Sequence, residues 1–204
     1  MTTYYGLYGQ KVQYLASDPS DVQIGQVWYN STSATLKVRA FTSAAWATGG
    51  NLPATRAEMG GAGTQTAALL FGGSTPNHVT PTAASESFNG STWTSTPSLN
   101  TARHGLGGCG IQTAALAFSG GAPPNGGTLT TATELWNGTS WTSNPTGLNT
   151  ARYSLGGAGT QTAAIGFGGG GAVSSASESW NGSTWTTTPS LNTARNEIGS
   201  AGIQ

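Results

Sequence analysis

One string of about twenty residues returns four times along this chain of 204 residues. It reads LPATRAEMGGAGTQTAALLFGG from Leu52 and LNTARHGLGGCGIQTAALAFSGG from Leu99. It then reads LNTARYSLGGAGTQTAAIGFGG from Leu148 and LNTARNEIGSAGIQ from Leu191. The arginines Arg56, Arg103, Arg152 and Arg195 stand 47, 49 and 43 residues apart. A near-constant period means that each copy is one supersecondary unit that buries its apolar face on its neighbours. Forty-odd residues suit a four-stranded propeller blade and exceed a leucine-rich or ankyrin unit.

Each full copy predicts four strands. The first is built from small residues, Gly60-Gly61-Ala62-Gly63 in one copy, where glycine marks a bend or the close approach of another backbone. The second is the apolar run Ala67 to Phe71, ended by Gly72-Gly73, and reads as covered on both faces. The third holds Ser85, Glu86, Ser87 and Phe88, and the fourth runs from Trp93 to near Pro97. Between them stands Asn89-Gly90, repeated as Asn137-Gly138 and Asn181-Gly182. That dipeptide predicts a type I′ hairpin, with positive φ at both central residues. The abundance of Gly, Ser, Thr, Ala and Asn is also what low-complexity disorder looks like, but seven tryptophans on a fixed period argue for ordered β-structure.

The apolar strand ending in a double glycine, followed by an aromatic and then a tryptophan, resembles the kelch family of β-propeller repeats. The matching residues are Gly72-Gly73, Phe88 and Trp93; Gly120-Gly121, Trp136 and Trp141; and Gly168-Gly169, Trp180 and Trp185. The gap from aromatic to tryptophan is shorter than usual for that family, so the pattern is kelch-like. The resemblance implies an all-β chain of kelch-like propeller repeats. They divide as 51–98, 99–147 and 148–190, with a partial copy at 191–204.

Phe41 and Trp46 repeat the spacing of Phe88 and Trp93, which assigns a half-blade to residues 35–50. Three full repeats and two half-blades make four blades if the Thr35–Trp46 half completes the Leu191–Gln204 half, within the usual four to eight. The alternatives are a longer chain and completion by another subunit. Residues 1–34 then form an N-terminal attachment segment, and 35–204 the repeat array. In the segment, Gln26 to Asn30 and Thr35 to Phe41 read as strands of a hairpin. Gly25, Val27, Trp28, Tyr29, Asn30, Leu36, Lys37 and Val38 resemble a hairpin motif of bacteriophage tail-fibre and related virion proteins. That resemblance implies a structural component of a virus particle. Tyr4, Tyr5, Tyr8 and Tyr14 make the segment aromatic, and exposed apolar patches mark contacts, so these four are the candidate anchoring residues.

Seven basic residues balance seven acidic ones, so no basic stripe points to nucleic acid and no polybasic run to a membrane surface. The stretch MTTYYGLYGQKVQYL does not read as a secretory leader, lacking a basic n-region and an uninterrupted apolar core, and no apolar run has the length of a membrane span. Cys109 stands alone where its sister copies carry Ala62 and Ala158, which reads as a small buried residue. His78 and His104 fall in unrelated places, without metal-ligand spacing. One Arg and one Glu recur per unit, Arg103, Arg152 and Arg195 with Glu86, Glu134 and Glu178; they read as structural pairs at strand ends rather than a carboxylate ring. Glycoside hydrolysis needs two carboxylates in different environments, which identical glutamates in identical contexts do not supply. No catalytic, metal or cofactor-binding residue is assigned, and the chain is read as a non-enzyme without cofactors.

The loops between the double glycine and the glutamate differ in length and text. In repeat proteins such insertions gather on one face, which often binds. Asn77, His78, Pro123, Pro124, Asn125 and Val173 are the candidate interaction residues there. The expected function is a structural bacteriophage virion protein, a tail fibre or tail-associated, anchored by its N-terminus to other virion proteins. The fibre resemblance favours a trimer. The alternatives are a propeller that binds a host receptor or surface glycan, and a head decoration protein.

Overall fold

A computed structural model describes residues 12–21, 26–38, 49–76, 80–123, 127–200 and 202. These residues form strands and connections, without a helix among them. The chain divides into two compact units, Met1–Thr48 and Gly49–Gln204.

The first unit holds a three-stranded sheet, β1 (Gln13–Leu15), β2 (Val27–Asn30) and β3 (Thr35–Val38), in the order β1-β2-β3. β1 runs parallel to β2, and β2 antiparallel to β3 with Val27 opposite Val38 and Asn30 opposite Thr35. The hairpin expected from the Trp-Tyr-Asn motif is therefore present. Asn30 closes its turn: its Oδ1 accepts the amides of Thr32 and Ser33 at 3.0 Å each. The boundary differs from the expected division at residues 34 and 35. Residues 35–38 pair with β2 inside the first unit, and the rest of the assigned half-blade up to Thr48, with Phe41 and Trp46, lies outside the described residues.

The second unit holds three four-stranded antiparallel sheets, one per full repeat. The first is β4 (Gly60–Thr64), β5 (Ala67–Phe71), β6 (Ser85–Phe88) and β7 (Trp93–Thr96). The second is β8 (Gly107–Ile111), β9 (Ala114–Phe118), β12 (Thr133–Trp136) and β13 (Trp141–Asn144), with a two-residue ribbon, β10 (Gly121–Ala122) and β11 (Thr128–Leu129), in its loop. The third is β14 (Gly156–Gly159), β15 (Ala164–Phe167), β16 (Ser177–Trp180) and β17 (Trp185–Thr188). No sheet closes on itself.

The sheets pack face to face, and the core lies in the two seams between them. Leu69 and Phe71 of the first sheet meet Ala115, Ala117, Trp136 and Trp141 of the second. One step on, Leu116 and Phe118 meet Ala164, Trp180 and Trp185. The Phe71 and Trp141 rings are 4.9 Å apart and those of Phe118 and Trp185 4.8 Å, the range of favourable aromatic pairs. Gln112 fastens the first seam, its Nε2 donating to the carbonyls of Ala68 and Phe88. Gln161 repeats this at Ala115 and Trp136. At the inner edge β8 lies between β4 and β14. The glycines there are required: a Cβ at Gly108 would stand 2.8 Å from the Gly61 carbonyl oxygen and 2.7 Å from the Phe71 ring.

Two expectations need correction. The hairpin tips are not type I′ turns, because positive φ falls on Gly90, Gly138 and Gly182 and not on the asparagines. Each asparagine instead turns its side chain inward; Asn89 Oδ1 accepts the amides of Ser91 and Thr92 at 3.0 and 2.9 Å. In the second repeat the structural counterpart of Gly72-Gly73 is Ser119-Gly120, not Gly120-Gly121. Ser119 takes φ 60° where Gly72 takes 67° and Gly168 65°. The buried Ser119 hydroxyl stabilises that conformation by accepting the Arg152 amide at 3.0 Å. The structural Arg–Glu pairs expected between or within repeats form within them, Arg56 with Glu86, Arg103 with Glu134 and Arg152 with Glu178. Arg195 is exposed and is not one of these pairs.

Candidate interaction surfaces

Each repeat enters its sheet through the Leu-Asn-Thr-Ala-Arg segment, which joins one sheet to the next. Its main chain bonds to the preceding repeat: Leu148 N–H donates to Thr131 O, and the Arg152 carbonyl accepts from Gly120 N–H. Its arginine turns into its own repeat. Arg103 Nη1 donates to the carbonyls of Ser119 and Ala132 at 2.8 Å each, and Nη2 to Glu134 Oε1 at 2.9 Å. Glu134 Oε2 also accepts the Asn100 amide at 2.7 Å. Burial pulls the Arg103 guanidinium below its ordinary pKa, and Glu134 opposes that shift. Buried pairs of this kind hold the joining segment against the strands of its own repeat.

The arginine is followed in each copy by two residues that do not repeat: Ala57-Glu58, His104-Gly105, Tyr153-Ser154 and Asn196-Glu197. The second of each takes the left-handed conformation, with φ of 55° at Glu58, 57° at Gly105 and 52° at Ser154 and Glu197. They line a shallow cavity of about 250 Å³ together with Met59, Leu106, Leu155 and Ile198. A larger cavity of about 620 Å³ runs along the inner strands, walled by glycine and alanine backbone and reaching Cys109. Glu58 pairs with His104 Nδ1 across the first seam, and the Tyr153 ring lies 6.3 Å from the imidazole. The Cys109 thiol is pushed up to about 12 by burial, far from thiolate chemistry at neutral pH.

The variable loops start beside this mouth, since His104 bridges to Gly121 and Tyr153 to Gly170. Of the candidate loop residues, Pro123 and Val173 are exposed, Val173 at 55%. Asn77, His78, Pro124 and Asn125 lie outside the described residues. Glu58 and Glu197, which line this cavity, and His104 and Tyr153, which precede the lining residues Gly105 and Ser154, are not among the sequence candidates. Their signal was variation at two adjacent positions inside an otherwise repeated string.

The N-terminal sheet has two unlike faces. Trp28, Asn30 and Lys37 share one, and all three donate to Asp18, at 2.9 Å from Trp28 Nε1 and 2.8 Å from Asn30 Nδ2. These donors, led by Lys37, hold the Asp18 carboxyl well below the usual carboxylate range. The register puts Tyr14, Tyr29 and Leu36 in one row on the opposite face, flanked by Val27 and Val38. Tyr14 stacks on Tyr29 at 5.1 Å, and Tyr14, Leu36 and Val38 are 60%, 66% and 58% exposed. Tyr14 is thus the one candidate anchoring residue that the structure places; Tyr4, Tyr5 and Tyr8 lie outside the described residues. Among the described residues no three His, Cys, Asp or Glu side chains gather as a metal site, and no helix is long and apolar enough to cross a membrane. Neither protein-family models nor curated proteins match this chain.

Proposed function

We propose that this chain is a non-enzymatic structural protein of a bacteriophage particle, a tail fibre or tail-associated, whose first unit attaches it and whose kelch-like propeller blades present a binding face. The observation that carries this reading is the uncharged apolar row of Tyr14, Tyr29 and Leu36, with Val38 beside it, on the N-terminal sheet. Contiguous exposed apolar surface marks contacts with other proteins. Here the contacts are other virion subunits and further copies of the same chain. The repeat array supports the presenting role, because it gathers the Glu58 mouth and the loop bases at Gly121 and Gly170 at one end. A host receptor or surface glycan is the ligand class for that end.

The test is particle retention. Leu36→Glu with Val38→Glu removes the apolar character of the row without touching the repeats. The doubly substituted protein is expected to be lost from purified particles while its repeat array melts as before. Full retention on particles overturns the attachment role.

A further inference from the structure

The three hairpin tips of the repeat sheets share one side-chain arrangement. Asn89, Asn137 and Asn181 are exposed, and the glycines that follow them take φ of 94°, 93° and 94°. Oδ1 of each asparagine accepts the two amides beyond the glycine, at 2.8–3.0 Å. The hydroxyls of the same two residues also donate to it, at 2.9–3.4 Å. The carboxamide nitrogen and the glycine N–H meet no partner among the described residues.

These are the parts of one reaction. The glycine nitrogen adds to the asparagine Cγ and gives up its proton, and glycine has no side chain to crowd that approach. Negative charge passes to Oδ1, where the four donors hold it. The Cγ–Nδ2 bond breaks, ammonia leaves, and a five-membered imide closes. Water opens the imide at either carbonyl, leaving aspartate or isoaspartate. Three other asparagines each lack a part. Asn30 Oδ1 also accepts two amides, but its Nδ2 donates to Asp18 and the next N–H, of Ser31, to Leu15 O, both at 2.8 Å. Asn144 Oδ1 accepts the Thr146 amide and hydroxyl, but Pro145 follows and has no N–H. Asn100 Nδ2 is held by Glu134 and by Trp141 O, and the Thr101 N–H turns to Glu134.

We propose that Asn89, Asn137 and Asn181 are self-modifying sites, each converting to aspartate and isoaspartate through an imide with the following glycine. Each conversion adds one negative charge to a chain whose formal net charge is zero. The charges gather at one end of the array. A Cβ at Gly90, Gly138 or Gly182 would stand 3.3–3.5 Å from the carbonyl oxygen of Thr66, Thr113 or Thr162, at the turns into β5, β9 and β15. Those turns lie at the far end of the strands from the loop bases at Gly121 and Gly170 beside the mouth. A neutral array thereby acquires an acidic end with age, while the mouth keeps its chemistry. The inference rests on the tips and not on the virion reading.

Peptide mapping of the full chain, folded and urea-unfolded, after prolonged incubation in heavy-oxygen water tests it. In the folded chain all three tips are expected to convert, faster at pH 8 than at pH 6, because the attacking nitrogen must lose its proton. Each converted tip is expected to carry one heavy oxygen from ring opening, and Asn30, Asn100 and Asn144 to keep their amides in the same digest. Asn137→Gln lengthens the side chain past a five-membered ring, and its amide is expected to survive while the other two tips convert. Asn125, also followed by glycine, lies outside the described residues and is scored separately. Tips that keep their amides in the folded chain after the unfolded chain has lost them overturn the proposal, since the bonds on Oδ1 would then lock the side chain away from the glycine. Conversion of Asn100 or Asn144, or of the glutamine in Asn137→Gln, at the rate of the tips overturns it as well.

Discussion

The N-terminal sheet and the repeat sheets each gather donors on a carboxylate, in opposite surroundings. Asp18 keeps 46% of its side chain exposed and Lys37 keeps 37%. Glu134 and Arg103 keep 1% and 0%. Water screens the first pair, so its contribution to stability is small and follows pH. The second pair has given up its hydration, so each partner is committed to the other and to the main chain around it. The first unit is thus a small sheet pinned from outside, and the second a stack pinned from within.

The comparison breaks if the buried pairs turn out to be dispensable. Glu134→Ala leaves Arg103 charged and without its partner in a dry site, and should cost about 3–5 kcal/mol in chemical denaturation. Replacing both partners with apolar residues of similar size should recover part of that loss. The inner strands should be nearly as intolerant. Gly108→Ala pushes a methyl into the Gly61 backbone and should cost about 1–3 kcal/mol. Gly199→Ala, with nothing within 4 Å of the added carbon, should leave the melting curve in place.

A finer test compares the two seams. Trp185 Nε1 donates to Thr133 Oγ1 at 2.9 Å, whereas the buried Trp141 Nε1 has no acceptor among the described residues. Trp185→Phe should therefore cost about 1 kcal/mol more than Trp141→Phe. The smallest effect should come from Asp18. Its folded pKa is depressed, so its contribution is complete above the unfolded value of about 4 and fades as pH falls below it. Asp18→Asn should abolish that acid-side loss in the first unit and leave the repeat sheets unchanged, as read by hydrogen exchange of each unit at pH 3 and pH 6.

Much of the strand plan was legible because each feature was written three times. β5 and β6 fall at Ala67–Phe71 and Ser85–Phe88, where the apolar run and the serine-flanked glutamate predict them. What escaped was decided by three-dimensional neighbours. Ser119 reads as an interruption of the glycine pair, yet its hydroxyl bonds to Arg152 of the next repeat. The pairing of Arg56 with Glu86 depends on which way the joining segment sends its side chain, and a recurrence count carries no such direction. The tips deceived because asparagine beside glycine suits two turn geometries, and Asn89 uses its side-chain oxygen where a type I′ turn uses the backbone. The grouping of Glu58, His104 and Tyr153 needed the stack itself, since they come from three repeats.

The left-handed residues after each arginine carry one further consequence. Gly105 N–H donates to Glu58 O, Ser154 N–H to Gly105 O, and Glu197 N–H to Ser154 O. This staircase crosses from one repeat to the next by main-chain groups alone, and glutamate, glycine and serine all serve as steps. The steps themselves are held at positive φ, and a Cβ at Gly105 would lie 3.0 Å from the Ser154 amide, so the frame is selective there. The residues beside the steps, Ala57, His104, Tyr153 and Asn196, carry no such backbone demand, and libraries at those four would sample many rims on one scaffold.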